Sequence, residues 1–210
     1  MPNPWRSVPL DDYERHMRSA HVRQLSALSD LFAYALDVCT PESVAILGVA
    51  GGNGLERINR DRTRRVLGID INSTYIETTQ QRFADMPGLY LHCLDLAAGI
   101  NGLDSVQMVH AALIFEHAGL GTCLENAVKL VAPGGSLSVV LQLPSRLSQD
   151  PISSESPQSI QGLGPHFHLI EPAHLQEALL KDKFHMMQEE QCALPSGKAF
   201  WMGIFKHSNV

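Results

Sequence analysis

A glycine-rich turn and the carboxylate that follows it carry the clearest chemistry in this sequence. The turn comes after the apolar run 44–47 and contains Gly48, Gly52 and Gly54. A second apolar run, 65–69, ends in Asp70, 16 positions after the last of these glycines. Glycines let a backbone approach a ligand closely because they carry no Cβ, and an acid at the end of the next strand accepts hydrogen bonds from ribose hydroxyls. This spacing predicts a site for a nucleotide-like cofactor.

The elements that position these residues alternate between strands and helices. Apolar runs predict five strands at 44–47, 65–69, 89–93, 105–110 and 137–143, and helical spacing predicts helices at 23–38, 120–131 and 171–181. Such alternation indicates parallel strands joined by right-handed crossovers. The segments 184–193 and 199–206 are joined by a short loop and must pair antiparallel. We therefore expect the α/β class: a Rossmann-like doubly wound sheet of about seven strands, mostly parallel with a C-terminal antiparallel hairpin.

Two segments interrupt this alternation. Pro133, Gly134 and Gly135 predict a turn that leads into the fifth strand. Residues 144–165 contain six serines, four prolines and three glutamines, which makes them too long and too polar for an ordinary connection. We expect residues 1–40 to form an N-terminal helical lid, and residues 41–210 to form a cofactor-binding domain with a lid-like insertion at 144–168.

The bulk composition limits the partners. The 210 residues are 44% apolar and 18% charged, with a net charge of −6. These values fit one globular domain and argue against a large nucleic-acid surface. The four cysteines lack metal-ligand spacing, so we expect reduced thiols in the cytoplasm. Because no apolar run approaches the ~18 residues that span a bilayer, we expect no membrane contact.

The order of these features resembles the class I S-adenosylmethionine-dependent methyltransferases over residues 40–206. The turn at 48–54 resembles the family's first motif, and Asp70 stands where the family places its ribose-binding acid. Asp95 and Leu96 follow the third strand, where members of the family contact the adenine. Residues 109–117 are similar to the segment that passes under the cofactor, and residues 130–135 to the turn before the fifth strand.

The resemblance implies S-adenosylmethionine as the cofactor and methyl transfer as the reaction. The acceptor would be a small molecule, methylated on oxygen or nitrogen by in-line displacement, and a homodimer is compatible with the sequence. The residues that the motifs imply for cofactor binding are Gly48, Val49, Ala50, Gly52, Gly54, Asp70, Ile71, Asp95, Leu96 and Ala111. The implied substrate contacts are Tyr13, Met17 and His117, since the N-terminal helix would cover the pocket.

Three histidines are the candidates for catalysis. The resemblance puts His117 near the transferred methyl group, where a near-neutral pKa would suit a general base; a histidine bonded to backbone at a helix start is the alternative. His166 and His168 flank Phe167, and on a strand they would point to the same side, over the acceptor. Two histidines without a third ligand do not define a metal site, so we expect no metal.

One departure from the family pattern keeps other functions open. The family's first motif begins with an acid, and no acid stands near Gly48. Turn carbonyls, Tyr13 or His16 would then hold the methionine amino group. A non-catalytic scaffold that binds S-adenosylmethionine is one alternative function. An NAD-dependent oxidoreductase is another, although Arg57 stands where the third glycine of a dinucleotide turn belongs and the sequence has no Tyr-x-x-x-Lys pair.

Overall fold

The computed structural model describes residues 3–19, 22–145 and 156–208. The strands are β1 (Ser43–Leu47), β2 (Arg65–Asp70), β3 (Leu89–Cys93), β4 (Val106–Ala112), β5 (Val131–Leu143), β6 (Phe184–Ala193) and β7 (Ala199–His207). The helices are α1 (Leu10–Arg18), α2 (Gln24–Cys39), α3 (Ser73–Arg82), α4 (Phe115–Ala118), α5 (Thr122–Leu130), α6 (Gln158–Gln161) and α7 (Pro172–Lys181).

The strands form one sheet in the order β3-β2-β1-β4-β5-β7-β6. β1 to β5 run parallel, and β7 pairs antiparallel with both β5 and β6. The predicted doubly wound sheet with its closing hairpin is therefore confirmed. Because the strand order reverses between β1 and β4, a crevice opens at their carboxyl ends, which is where open α/β sheets bind ligands.

Helices cover both faces of the central strands. α1 and α2 pack on one face with side chains such as Met17 and Phe32, and α5 and α7 pack on the other with side chains such as Leu124 and Leu175. The helical spacing predicts α2 at 23–38, and the structure places it one residue later at each end. The helix ends at Thr40, whose backbone adopts a left-handed conformation.

The turn predicted before the fifth strand lies inside β5 instead. Val131 already pairs with Val106 of β4, and pairing resumes at Ser136 and Met108. The intervening residues of β5 face a single residue of β4 and form a bulge. Gly134 within this bulge has a φ of +69°, which glycine adopts without strain. The proline and the two glycines predict a turn that precedes the strand. Because the chain pairs with β4 on both sides of these residues, they interrupt a single strand instead.

Two other regions, the helix predicted at 120–131 and the insertion predicted at 144–168, also differ in detail from the prediction. The helix predicted at 120–131 is shorter, and the separate turn α4 precedes it, divided from α5 at Gly119 with a φ of +75°. The insertion predicted at 144–168 falls partly outside the described residues; its described part contains α6 and a 3-10 turn, Gly164–His166. None of the described helices combines the length and apolar character that a bilayer crossing requires.

Candidate functional site

A cavity lies at the carboxyl ends of the parallel strands, in the crevice where the strand order reverses. It has a volume of about 1140 Å³ including the open solvent at its mouth. Its floor comes from the loops that follow β1 to β4 and from the end of β5. Its cover comes from two segments that are distant in sequence, within residues 3–17 and 160–167.

The turn after β1 presents alternate residues to the cavity. Gly48 and Ala50 line it, whereas Val49 is buried in the core beneath the turn. Ala50 has a φ of +46°, which is unusual for a residue with a Cβ. Its N–H donates to Oδ2 of Asp70 at 2.9 Å, and its carbonyl accepts from Oγ1 of Thr79 at 2.6 Å. These two bonds hold the turn in its shape before any ligand binds.

Gly52 and Gly54, which the motif implies as cofactor contacts, lie outside the cavity lining. A Cβ on Gly52 would collide with the ring of Phe83, and a Cβ on Gly54 would press on Phe32. These two glycines therefore let the turn pack closely against neighbouring helices. Gly52, Gly54 and Val49 thus shape the turn, and among the turn residues Gly48 and Ala50 face the cavity.

Asp70 ends β2 and lines the cavity, although only 8% of the residue is exposed. Its Oδ1 accepts from the N–H of Asn72 at 2.9 Å, and its Oδ2 accepts from the N–H of Ala50 at 2.9 Å. Burial raises the pKa of Asp70, and the backbone amides of Asn72, Ala50 and Ile71 oppose that rise. Two turns thus orient the carboxylate, whose remaining lone pairs can accept hydrogen bonds from hydroxyls in the cavity. Ile71 lines the cavity beside it.

Asp95 and Leu96 line the cavity beyond the end of β3. Oδ1 of Asp95 accepts from the N–H of Ala97 at 3.0 Å, and its Oδ2 lies 3.8 Å from Nη2 of Arg6. Leu96 is buried and packs into the sheet core. The Asp95 side chain therefore caps its own loop and also stands at the cavity wall, so the structural and ligand-binding interpretations of this acid are compatible.

Of the two small residues at the end of β4, it is the second that faces the cavity. Ala111 is fully buried in the sheet core, whereas Ala112 lines the cavity together with Leu113 and Ile114. Because side chains alternate between the two faces of a strand, two neighbouring residues face opposite ways, here one into the core and the other into the cavity. Leu113 has a φ of +56°, a strained backbone conformation of the kind that concentrates at functional sites.

His117 of α4 stands in the cavity wall in contact with two aromatic rings. Its ring makes edge-to-face contacts with Trp5 and Phe167, at centroid distances of 4.8 Å and 4.9 Å. Burial, with smaller contributions from His166 and His168, lowers the pKa of His117 to about 4. The imidazole is therefore neutral at pH 7 and a weaker base than the predicted near-neutral value. Its Nδ1 is buried and has no hydrogen-bond partner among the described residues.

His166 and His168 are exposed and lie outside the cavity lining. The expectation that both point over the acceptor assumes a strand, but His166 ends the 3-10 turn. The backbone N–H of His168 donates to the carbonyl of Glu116 at 2.8 Å, which fixes this segment against α4. Phe167, between the two histidines, is the residue that lines the cavity.

α1 lies over the cavity. Tyr13 and Met17, the expected substrate contacts, both line it, and so does His16. Burial, and then the charge of Asp70, raise the pKa of Tyr13, so its phenol is neutral. Glu14 pairs with Arg82 of α3, which anchors α1 beside the turn that follows β1.

The two covering segments, residues 3–18 and 156–167, bind each other, and we refer to them together as the roof. Oγ of Ser156 lies 3.0 Å from Nδ1 of His16, and Oγ of Ser159 donates to Oδ2 of Asp12 at 2.7 Å. Apolar contacts add to these bonds; they join Val8, Trp5 and Tyr13 to Ile160 and Leu163. Helix and insertion therefore form one structural unit over the cavity.

A buried polar group that the sequence analysis missed lies behind the cavity wall. Glu116 is 1% exposed, and its Oε1 accepts from the N–H of Gln142 at 2.8 Å. Its Oε2 finds no hydrogen-bond partner within the described parts of the chain. Burial raises the pKa of Glu116 to about 7. The side chain of Gln142 lines the cavity and accepts from Nε2 of Gln24 at 3.4 Å.

Several cavity residues carried no signal in the sequence. Trp5 precedes the first helix, and Phe167 lies in a segment without periodicity, so neither belongs to a recognisable pattern. Gln24 and Gln142 are polar residues within the apolar elements α2 and β5, and this contrast is the only sequence feature that could have indicated a role in the cavity. Tyr75 follows Asp70 by five residues and is buried against the same cavity.

Solved structures share this architecture. The N-methyltransferase NodS from Bradyrhizobium japonicum WM9, in complex with S-adenosyl-L-homocysteine, is 16% identical over 98% of each chain, with a TM-score of 0.69. Magnesium protoporphyrin IX methyltransferase ChlM from Synechocystis PCC 6803, with the same ligand, is 12% identical over 97% of this chain and 96% of its own, with a TM-score of 0.72. The cyclase SpnF is 12% identical over 92% of this chain and 85% of its own, with a TM-score of 0.69. No protein-family model and no curated protein matches the sequence.

The chain therefore has the fold of the class I S-adenosylmethionine-dependent methyltransferases. The same fold occurs in a cyclase, so the fold alone does not define the reaction, which depends on the residues of the site.

Proposed function

We propose that the protein is an S-adenosylmethionine-dependent methyltransferase that acts on a small molecule. The observation that carries this proposal is the carboxylate of Asp70, oriented by two backbone amides at the wall of a cavity where the strand order reverses. Two proteins of the same fold, NodS and ChlM, were crystallised with the demethylated cofactor, which supports the same cofactor here.

The donor set of the cavity fits the three parts of this cofactor. Asp70 would accept hydrogen bonds from the ribose hydroxyls, as acids in this position of α/β sheets do. Ile71, Leu96 and Asp95 would bind the adenine, because they combine apolar surface with an acceptor for its amino group. The turn at Gly48 would hold the methionine portion, since it offers backbone without side chains.

The amino group of the methionine portion needs acceptors other than the usual acid. Tyr13 and His16 of α1 line the cavity, and burial lowers the pKa of His16 so that its imidazole is neutral and can accept. Tyr13 offers a neutral phenol oxygen. We propose that these two side chains, with carbonyls of the turn, replace the missing first-motif acid.

The chain's own contribution to the reaction is alignment and exclusion of water. When bound, S-adenosylmethionine supplies a methyl group whose bond to sulfur breaks as the lone pair of the acceptor bonds to carbon, leaving a neutral thioether. Holding the acceptor in line with that bond can account for ~7–11 kcal/mol of the barrier. His117 would take the proton from an acceptor hydroxyl, which becomes strongly acidic as its oxygen gains the methyl group. A base with a pKa of about 4 is sufficient for that late proton transfer.

We further propose that residues 1–40 and the insertion at 144–168 act as a lid over a main domain at 41–210. The bonds between Ser156 and His16 and between Ser159 and Asp12 support a joint movement of the two covering segments. Closure of the roof over a bound cofactor would keep water from the transferring methyl group.

The test is calorimetric titration of the protein with S-adenosylmethionine, S-adenosylhomocysteine and NAD in parallel. We expect micromolar binding of the first two and no binding of NAD. Binding of NAD alone would refute the proposal in favour of an oxidoreductase. Binding of both adenosyl ligands without methyl transfer to any acceptor in a broad panel would favour a non-catalytic scaffold.

A further inference from the structure

The wall of the cavity beside α4 is aromatic, and this bears on the class of acceptor. Trp5, His117 and Phe167 all line the cavity, and His117 contacts both other rings edge-to-face. Three rings in contact hold each other's orientation, because edge-to-face pairs favour defined geometries. A ligand that reaches this wall therefore meets a preformed aromatic surface.

The roof adds apolar surface over the same part of the cavity. Ile160 and Leu163 line the cavity from above and pack on Trp5. The hydroxyls of Ser156 and Ser159 are engaged with α1. On the side of the insertion the acceptor would thus be covered by hydrocarbon, while the buried indole N–H of Trp5, which has no hydrogen-bond partner among the described residues, can donate to an oxygen of the acceptor.

The charges around the cavity disfavour an anionic acceptor. Among the residues that the structure describes, no lysine or arginine lines the cavity, and two carboxylates, Asp70 and Asp95, do. Arg6 pairs with Asp95 and is half-exposed. His117 is neutral at pH 7 because burial lowers its pKa. A carboxylate on the acceptor would lose its hydration without a counter-ion.

A cationic acceptor is disfavoured for a different reason, which rests on the proposed function. The cofactor itself carries a positive sulfonium, and a protonated amine both repels that charge and lacks the lone pair that must attack the methyl group. Neutral acceptors avoid both problems.

We propose that the acceptor is an uncharged molecule with a flat aromatic ring, bound against Trp5, His117 and Phe167, and that this cluster selects against carboxylated and saturated analogues. This inference deepens the methyltransferase proposal and rests on it. It names the chemical class of the acceptor and the residues that recognise it.

The test uses three probes of similar shape: 2-naphthol, 6-hydroxy-2-naphthoate and trans-2-decalol. The protein is first saturated with S-adenosylhomocysteine, and each probe is then titrated by calorimetry. We expect 2-naphthol to bind at least tenfold more tightly than either of the other two. Equal or tighter binding of the naphthoate would overturn the charge argument, and equal binding of the decalol would overturn the aromatic one. Failure of S-adenosylhomocysteine to bind would instead refute the underlying methyltransferase proposal.

A pair of variants tests the wall itself. Trp5→Leu keeps an apolar side chain but removes the ring, and Tyr90→Leu makes the same change at a 54% exposed position on β3. We expect Trp5→Leu to weaken 2-naphthol binding at least tenfold while S-adenosylhomocysteine still binds, and Tyr90→Leu to bind both as the unchanged protein does. Trp5→Phe should recover most of the loss. If Trp5→Leu binds 2-naphthol as tightly as Tyr90→Leu does, the proposed aromatic site is wrong.

Discussion

Replacing Glu116 by glutamine should stabilise the protein at alkaline pH and leave it unchanged at acidic pH. The carboxyl group is 1% exposed, and only Oε1 has a hydrogen bond among the described residues, to the N–H of Gln142. Glutamine has the same shape, keeps an oxygen for that bond and never ionises. The variant therefore isolates the effect of placing a charge at this position.

The size of the effect follows from the raised pKa. Burial moves the pKa of Glu116 from 4.5 to about 7, and each pKa unit corresponds to about 1.4 kcal/mol. Below pH 4.5 the carboxyl is protonated in both the folded and unfolded states, and folding meets no electrostatic cost. As the pH rises, the unfolded chain ionises first, and stability falls until the folded state ionises near pH 7. The loss is then complete, at about 3 kcal/mol.

The assay is urea denaturation of the unchanged protein and Glu116→Gln at pH 4.5 and pH 8. We expect the glutamine variant to gain about 3 kcal/mol relative to the unchanged protein between the two pH values. Other titrating groups are common to both proteins, so the difference of differences reports this carboxyl alone. A stability difference that does not change with pH would show that Glu116 has the same pKa in the folded and unfolded protein, and would refute our account of its burial.

Two further changes test the turn and the acid that it holds. Asp70→Ala should weaken S-adenosylhomocysteine binding more than tenfold in calorimetry, whereas Asp104→Ala, at a side chain that is 86% exposed, should not change it; equal affinities would place the ribose elsewhere. Gly48→Ala should lower the free energy of unfolding by at least ~1 kcal/mol, because its φ is +73° and a Cβ would collide with Ile114. Gly162→Ala, at a helical φ of −61° and ψ of −16° where an added Cβ meets only atoms at ordinary contact distance, is the matched control, and thermal unfolding that shifts equally in both would contradict the strain argument.

The sheet and the position of Asp70 at the cavity could be predicted because their signals are local. The apolar runs of the central strands β1, β2, β4 and β5 are buried by two helical layers, so their positions hardly depend on distant contacts. Asp70 follows such a run directly, and its place at the sheet's carboxyl edge is set by the strand alone. The bulge around Gly134 could not be predicted in this way, since it is the pairing of Val131 with Val106 that extends the strand past the glycines.

The rest of the site depends on information that the sequence pattern lacks. β4 is buried on both faces, so no alternation of polar and apolar residues distinguishes the side of Ala111 from that of Ala112. Phe167 and Trp5 are brought to the cavity by tertiary contacts such as those with His117, which lies more than 100 residues from Trp5 in the sequence. The pKa of His117 depends on the burial that those contacts create, and so the weak basicity of this candidate base is a tertiary effect.

The two segments of the roof are synthesised at different times, so the covered cavity can form only after the second segment has been made. Ser156 and His16 are 140 residues apart, and chains grow at about 5–20 residues per second. The N-terminal helix therefore leaves the ribosome roughly 7–28 s before its partner segment does. In that interval β1 to β5 can pair while the cavity is still uncovered. Pairing of β1 to β5 during synthesis consequently does not require a covered cofactor site, whereas the covered cavity requires residues 156–167 to have been made.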